Sequence, residues 1–130
     1  MIFKNYSESA KLLADKIKEE GIDNPVFTFI NPDSEKYCQL VSPSVISFNQ
    51  LHLSSPSTLI ILDDGSTKSL EYNEFTDQIR KKYPETFIVI AIPVIPESEK
   101  STLESACDSL IYLHADPLFF SVNQFYQPTI

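Results

Sequence analysis

Two adjacent carboxylates, Asp63 and Asp64, leave the apolar run Thr58-Leu59-Ile60-Ile61-Leu62 and lead into Gly65-Ser66-Thr67-Lys68-Ser69. Acids at the end of a buried strand can accept from sugar hydroxyls or hold the waters of a Mg²⁺ ion. The amides of the following loop, and the start of the helix after it, attract phosphate. The same residues also make plain structural ends, with two acids as a polar strand exit and Ser69 as a helix cap. Spacing alone leaves both readings open.

Other reactive residues are sparse. His52 falls in a polar loop, and His114 lies at a strand exit beside Asp116, on the same sheet edge as Asp63 and Asp64 if the strands are parallel. A solvated or capped histidine is the expectation for each, since two unpaired histidines build no Ser/His/Asp, Cys/His or zinc constellation. Asp63-Asp64-Gly65 has no room for the spacer of the acid-x-acid motif found in hydrolases of the haloacid-dehalogenase type. Cys38 and Cys107 are far apart, in neither CxxC nor metal spacing. Both sit in apolar stretches and read as buried thiols of a reducing cytosol.

Charge narrows the partners. The chain carries 18 acids against 10 bases, a net −8, and its only arginine is Arg80. A duplex nucleic-acid binder or an anionic-membrane binder needs a basic face, and none can be assembled here. The same deficit disfavours a tightly held polyphosphate, for which paired Arg and clustered Lys are the usual counter-charges. The N-terminus has no apolar leader core and no run reaches membrane-spanning length, so a cytoplasmic protein is expected.

The elements that must position the acids can be read from periodicity. At 130 residues, 42% of them hydrophobic, the chain suits one domain spanning 1–130. Asn5 with Glu8 three residues on starts a helix over about 6–20, with Tyr6, Ala10, Leu13 and Ile17 on one stripe and Gly21 at its stop. VFTFI is a short buried strand, and Asn31-Pro32-Asp33-Ser34 a turn. YCQLV (37–41) and VISF (45–48) read as short strands around Pro43 or a hairpin, and Pro56 ends the irregular stretch 49–57. Residues 58–62 are a continuous β-branched run of the kind buried in parallel sheets. A helix from Ser69, with Tyr72, Phe75, Ile79 and Tyr83 in line, stops before Pro84. FIVIAI (87–92) and SLIYL (109–113) are two more strands, joined by a helix from Pro96 to about Cys107. Strand–helix alternation predicts an α/β fold, an open and mainly parallel sheet flanked by helices. The aromatic tail LFFSVNQFY should pack on the sheet edge.

Placed on those elements, the sequence resembles the type I phosphoribosyltransferases. That family carries four apolar residues, two acids and a Gly-Ala/Ser-Thr-Gly-Thr loop receiving the 5-phosphate of phosphoribosyl pyrophosphate. Leu59-Ile60-Ile61-Leu62-Asp63-Asp64-Gly65-Ser66-Thr67 is similar to its first part. The stretch FIVIAIPVIPESEKSTLESACDSLIYL resembles the family's Ala-x-Pro-Val strand, helix, Asp and strand. HADPLFFSVNQFYQ (114–127) resembles its closing segment, and Phe3 to Ile17 its opening helix. The resemblance covers 57–127 well and 1–30 weakly. It implies a truncated phosphoribosyltransferase-like, Rossmann-like fold. It also implies ribose phosphate or nucleotide binding at Asp63, Asp64, Gly65, Ser66, Thr67, Lys68 and Ser69, Mg²⁺ held indirectly by Asp63 and Asp64, and a base stacked on Phe119 or Phe120.

The departures point away from catalysis. After Thr67 come Lys68, Ser69, Leu70 and Glu71, where relatives have Thr, Gly, any residue and Thr/Ser. Glu71 sets an acid near a helix N-terminus that should draw phosphate, and Lys68 offers a partial offset. The pyrophosphate loop, often Arg-Gly-Gly in relatives, is Asn31-Pro32-Asp33, and residues 37–67 contain neither Lys nor Arg. Only residues 31–56 stand for the family's long middle. The expectation is a catalytically inactive binding or assembly module with no required cofactor, and a homodimer or larger homo-oligomer because the shortened sheet leaves edges uncovered. The alternatives are a minimal active transferase using phosphoribosyl pyrophosphate and Mg²⁺, or an unrelated α/β binding domain.

Overall fold

The computed structural model describes residues 2–54 and 57–128, and Pro56 lies outside the described residues. Helix α1 (Tyr6–Glu19) starts where the Asn5 side chain accepts from the Glu8 amide at 2.9 Å. It stops where Gly21 takes φ +65° and donates its amide to the Lys18 carbonyl, the left-handed helix end that glycine suits. Ala10, Leu13 and Ile17 are buried along its stripe.

Strands β1 (Val26–Phe29), β2 (Ile46–Ser47), β3 (Thr58–Leu62), β4 (Phe87–Pro96) and β5 (Ser109–Asp116) form one sheet in the order β2-β1-β3-β4-β5, every pair parallel. The predicted α/β fold with its parallel β3, β4 and β5 is therefore present, and these three strands are direct neighbours. Leu59, Ile60, Ile61 and Leu62 have no exposed surface, and each fully buried side chain of this kind contributes about 1.5–3 kcal/mol.

Alternation along β3 sorts these residues between two layers. Ile60 and Leu62 pack with Ala10, Leu13 and Tyr37 under α1 and α2 (Glu35–Val41). Leu59 and Ile61 pack with Tyr72, Ile79 and Leu103 under α3 (Ser69–Lys82) and α4 (Lys100–Ser105). The chain runs outward from β1 to β2, then returns to β3 on the other side of β1. Connections on either side of that point cover opposite faces, so the carboxyl ends of β1 and β3 border the crevice where parallel sheets bind ligands. Among the described residues, no helix is long and apolar enough to cross a membrane.

Several local expectations are corrected. Residues 37–41 belong to α2, not to a strand. Tyr37, Cys38 and Val41 are its buried positions, and with the buried N-cap Ser34 they follow an i, i+3, i+4, i+7 stripe. Asn31 caps the single 3-10 turn Pro32–Ser34 that leads into it, accepting from the Asp33 amide at 3.0 Å. Strand β4 runs on to Pro96, and helix α4 is shorter than expected and preceded by a 3-10 turn, Glu97–Glu99. Cys38 is buried, whereas Cys107 is half-buried, and both are free thiols. Burial pushes them up to about 12 and about 11 respectively.

The tail folds over the carboxyl ends of β4 and β5. Phe125 is buried with Phe3 and Val94, and Phe3 bridges to Tyr126 as one more parallel pairing.

Candidate functional site

Alternation continues past the end of β3, so the two acids part company. Asp63 follows Leu59 and Ile61 toward α3 and is completely buried. Its Oδ2 accepts the amides of Gly65 at 2.8 Å and Thr67 at 3.2 Å, and its Oδ1 accepts the Thr67 hydroxyl at 2.7 Å. Burial, with Asp64 adding to it, raises its pKa to about 6 against the pull of these donors. Asp64 is 7% exposed. Its Oδ1 accepts both the amide and the hydroxyl of Ser66, at 2.8 and 2.6 Å.

Asp64 faces the α1 side, where Ser9 sits between two tyrosines. The Ser9 hydroxyl donates to Tyr37 Oη at 2.9 Å and lies 2.8 Å from Tyr126 Oη. The Tyr6 ring meets both partners edge-on, at 5.6 and 4.7 Å between centroids. Burial raises the Tyr126 phenol to about 12, and Tyr6 and Asp64 push the same way. Tyr6 and Tyr37 also rise, first through burial.

Gly65 takes φ +104°, and a Cβ built there would lie 2.9 Å from the Val94 carbonyl oxygen. The loop therefore crosses the far end of β4 at a distance that only glycine allows. The expected capping role of Ser69 is not what the structure shows. Lys68 is the N-cap of α3, without a side-chain bond, and Ser69 donates its hydroxyl to Glu99 Oε1 at 2.5 Å. Asn31, at the exit of β1, donates its amide nitrogen to the hydroxyls of Ser66 at 3.2 Å and Thr67 at 3.0 Å. These bonds tie the two strand exits together across the switch point. Sequence reasoning passes over Asn31 as a lost pyrophosphate loop, and the Asn-Pro pair is the available signal, a cap before a helical turn. Glu99, Val94 and the tyrosines have no sequence signal, because only the fold brings them here.

Two depressions flank the loop. One, of about 490 Å³, lies between Asn31 and Pro32 on one side and Thr67, Lys68, Glu71 and Phe75 on the other. The second, of about 240 Å³, is bordered by Gly65, Lys68, Ser69, Val94, Glu99 and Phe119. Phe119 thus stands beside the loop, its ring 5.3 Å from that of Phe125, whereas Phe120 is 83% exposed. His114 shares the carboxyl edge of the sheet but pairs with Asp116, Nε2 to Oδ2 at 2.9 Å, which holds the Asp116 carboxyl below its usual range.

The arrangement does not suit a directly bound metal. Both Asp63 oxygens are already engaged and buried. Among the described residues no group of three His, Cys, Asp or Glu side chains could hold an ion. A Mg²⁺ cage made by the protein does not fit these residues.

No family model matches the chain, and no curated protein matches it in sequence. Among solved structures, the crystal structure of TT1426 from Thermus thermophilus is similar with a TM-score of 0.79 and 12% identity, over 97% of this chain and 90% of that one. The likeness is one of fold.

Proposed function

We propose that the protein is a phosphoribosyltransferase-like domain that does not catalyse transfer and works as a binding or assembly module. Weak binding of a ribose phosphate or nucleotide occurs at the loop Asp63–Ser69. The observation that carries this reading is the self-occupied loop. The amides of Gly65, Ser66 and Thr67, which open toward phosphate in the family the sequence resembles, are all donated to the carboxylates of Asp63 and Asp64. Stabilising a departing pyrophosphate needs donors or cations placed where charge develops. Asn31 uses its donors on Ser66 and Thr67, and Lys68 is the one cation bordering the crevice among the described residues. Mg²⁺ enters this reading only as the counter-ion that a diphosphate ligand brings with it.

The test is paired. Phosphoribosyl pyrophosphate with Mg²⁺ should raise the melting temperature slightly, and pyrophosphate release with common purine and pyrimidine bases should stay at background. Turnover at an ordinary enzymatic rate overturns the inactive reading in favour of a minimal transferase. The absence of any thermal shift removes the ligand half and leaves an α/β module without a ribose site.

Association into a homodimer or larger species, in a cytoplasmic setting that keeps both thiols reduced, belongs to the same reading. The exposed Leu118 and Phe120, 66% and 83% accessible, support it, as does a two-residue edge strand at β2. A monomer at high micromolar concentration by light scattering rejects it.

A further inference from the structure

Strand β5 forms one side of the sheet, and its outer edge can be followed group by group. Ala91 turns its carbonyl toward β3, where the Asp63 amide meets it, so Ile90 and Ile92 turn theirs toward β5. Their register partners are Leu110 and Tyr112, and in a parallel ladder the bonds go to the residues flanking each partner. Ser109, Ile111 and Leu113 therefore serve β4, while Leu110 and Tyr112 present N–H and C=O outward. Among the described residues no backbone group meets these outward groups. One side chain does. Lys16, on α1, donates its ammonium to the Tyr112 carbonyl at 2.7 Å.

An open strand edge is a template for pairing with another chain, and a second copy supplies the same edge in reverse. Two copies meeting about a two-fold axis at Ile111 set Leu110 of each opposite Tyr112 of the other. Such an antiparallel pair exchanges both of its N–H to C=O bonds, so the pairing needs the Tyr112 carbonyl that Lys16 already holds. Charge acts in the same sense. Lys16 Nζ lies 5.6 Å from the centre of the Tyr112 ring, and Lys100 Nζ, on α4 over the other face of the sheet, lies 5.5 Å from it. Self-pairing would bring both ammonium groups of each copy to one seam, and like charges across paired strands repel. We propose that Lys16 guards the β5 edge: by occupying the Tyr112 carbonyl and, with Lys100, charging the seam, it keeps a second copy of the chain from adding its own β5 to the sheet.

The guard is independent of any ligand at Asp63–Ser69 and of association through Leu118 and Phe120, so each mass is read against the parent at the same concentration. Lys16→Met keeps the aliphatic stem and the helix propensity but removes the ammonium, whereas Lys16→Arg keeps a cationic donor. Sedimentation equilibrium of the full chain from low to high micromolar gives the mass, and amide exchange followed by NMR gives the place. In the parent, the Leu110 and Tyr112 amides exchange faster than those of Ile111 and Leu113, by about tenfold or more. Lys16→Met gains mass with concentration beyond the parent, and its Leu110 and Tyr112 amides slow as the mass rises. Lys16→Arg matches the parent. Leu110→Pro, added to Lys16→Met, removes an outward N–H while leaving the β4 ladder its donors, and returns the mass to that of the parent. Equal masses for the parent and Lys16→Met overturn the guard, as does slow exchange of Leu110 and Tyr112 in the parent, which needs no variant to fold. Association of Lys16→Arg to the extent of Lys16→Met also overturns it, and so does excess mass that survives Leu110→Pro.

Discussion

Thr67 gives both of its donors to Asp63, the hydroxyl reaching Oδ1 at 2.7 Å and the amide Oδ2 at 3.2 Å. The span from 63 to 67 is thereby closed on a single buried carboxylate, and the shape of the loop follows from the charge and geometry of that side chain.

The first consequence is a pH dependence of stability. Burial, with Asp64 second, raises Asp63 to about 6, whereas an unfolded aspartate titrates near 3.9. Folding therefore favours the protonated acid. The Asp63 contribution is fully present below about pH 4 and is lost as pH rises through about 6. Relative to Asp63→Asn, the parent should lose about 2–3 kcal/mol between pH 4 and pH 7, and the difference should be flat above that. Urea unfolding of both proteins across this range checks it, and a pH-independent difference contradicts it.

Gly65→Ala should be costly. Its φ of +104° disfavours any side chain, and the new methyl meets a backbone oxygen, Val94 O, at 2.9 Å. A loss of about 2–4 kcal/mol is expected, seen as a lowered melting temperature. Adding Val94→Ala should not restore it, because the carbonyl stays where it was.

Tyr72→Phe should behave in the opposite way. The Tyr72 hydroxyl is buried close to the Thr67 and Asp63 side chains but meets neither in good hydrogen-bond geometry, and the charge of Asp63 adds to burial in raising its pKa. Removing an unpaired buried hydroxyl relieves a penalty of about 1 kcal/mol. Calorimetry should show a melting temperature unchanged or raised, and a clear fall would mean that the hydroxyl has a partner.

The double variant Ser69→Gly with Glu71→Thr moves the loop toward the family pattern. It frees the backbone at 69 and removes an acid from the first turn of α3. Calorimetry against phosphoribosyl pyrophosphate should detect binding stronger than in the parent, without pyrophosphate release. The same variant should melt lower, because Ser69→Gly deletes the bond to Glu99, at a cost of about 1–2 kcal/mol.

The central strands are legible because their burial is written directly in the sequence. TLIIL occupies β3 end to end, and Tyr72 and Ile79 mark the buried stripe of α3. Helix α2 escapes such a reading although 34, 37, 38 and 41 carry the helical period. Its seven residues, between two proline-bearing turns, look too short to outweigh β-prone Tyr, Cys and Val.

Strand β4 reads as ending before Pro93 for a sound local reason that the sheet overrides. Ala91 turns its carbonyl toward β3, where the Asp63 amide meets it, so Pro93, two residues on, also faces that side. Pairing between β3 and β4 ends at Leu62 and Ala91, while β4 and β5 stay paired to Pro96 and Asp116. The missing proline N–H falls where no strand remains to accept it. The divergence of Asp63 and Asp64 is implicit in the two-residue period of β3, but their separate surroundings are not. Tyr72, Ser9, Tyr126 and Val94 reach them only through tertiary packing.

On the reading proposed above, the closed loop would act on its own phosphate affinity as a tethered competitor. Asp63 and Asp64 hold the amides of Gly65, Ser66 and Thr67 from within the same short segment, at an effective concentration that no free metabolite matches. A phosphate entering the loop would first have to displace these carboxylates, so its apparent affinity would be its affinity for the open loop multiplied by the fraction of molecules in which the loop is open. Loop opening would therefore enter the occupancy of that ligand together with the strength of the phosphate contact itself. Anything that protonates or restrains the two acids raises occupancy without touching the ligand at all.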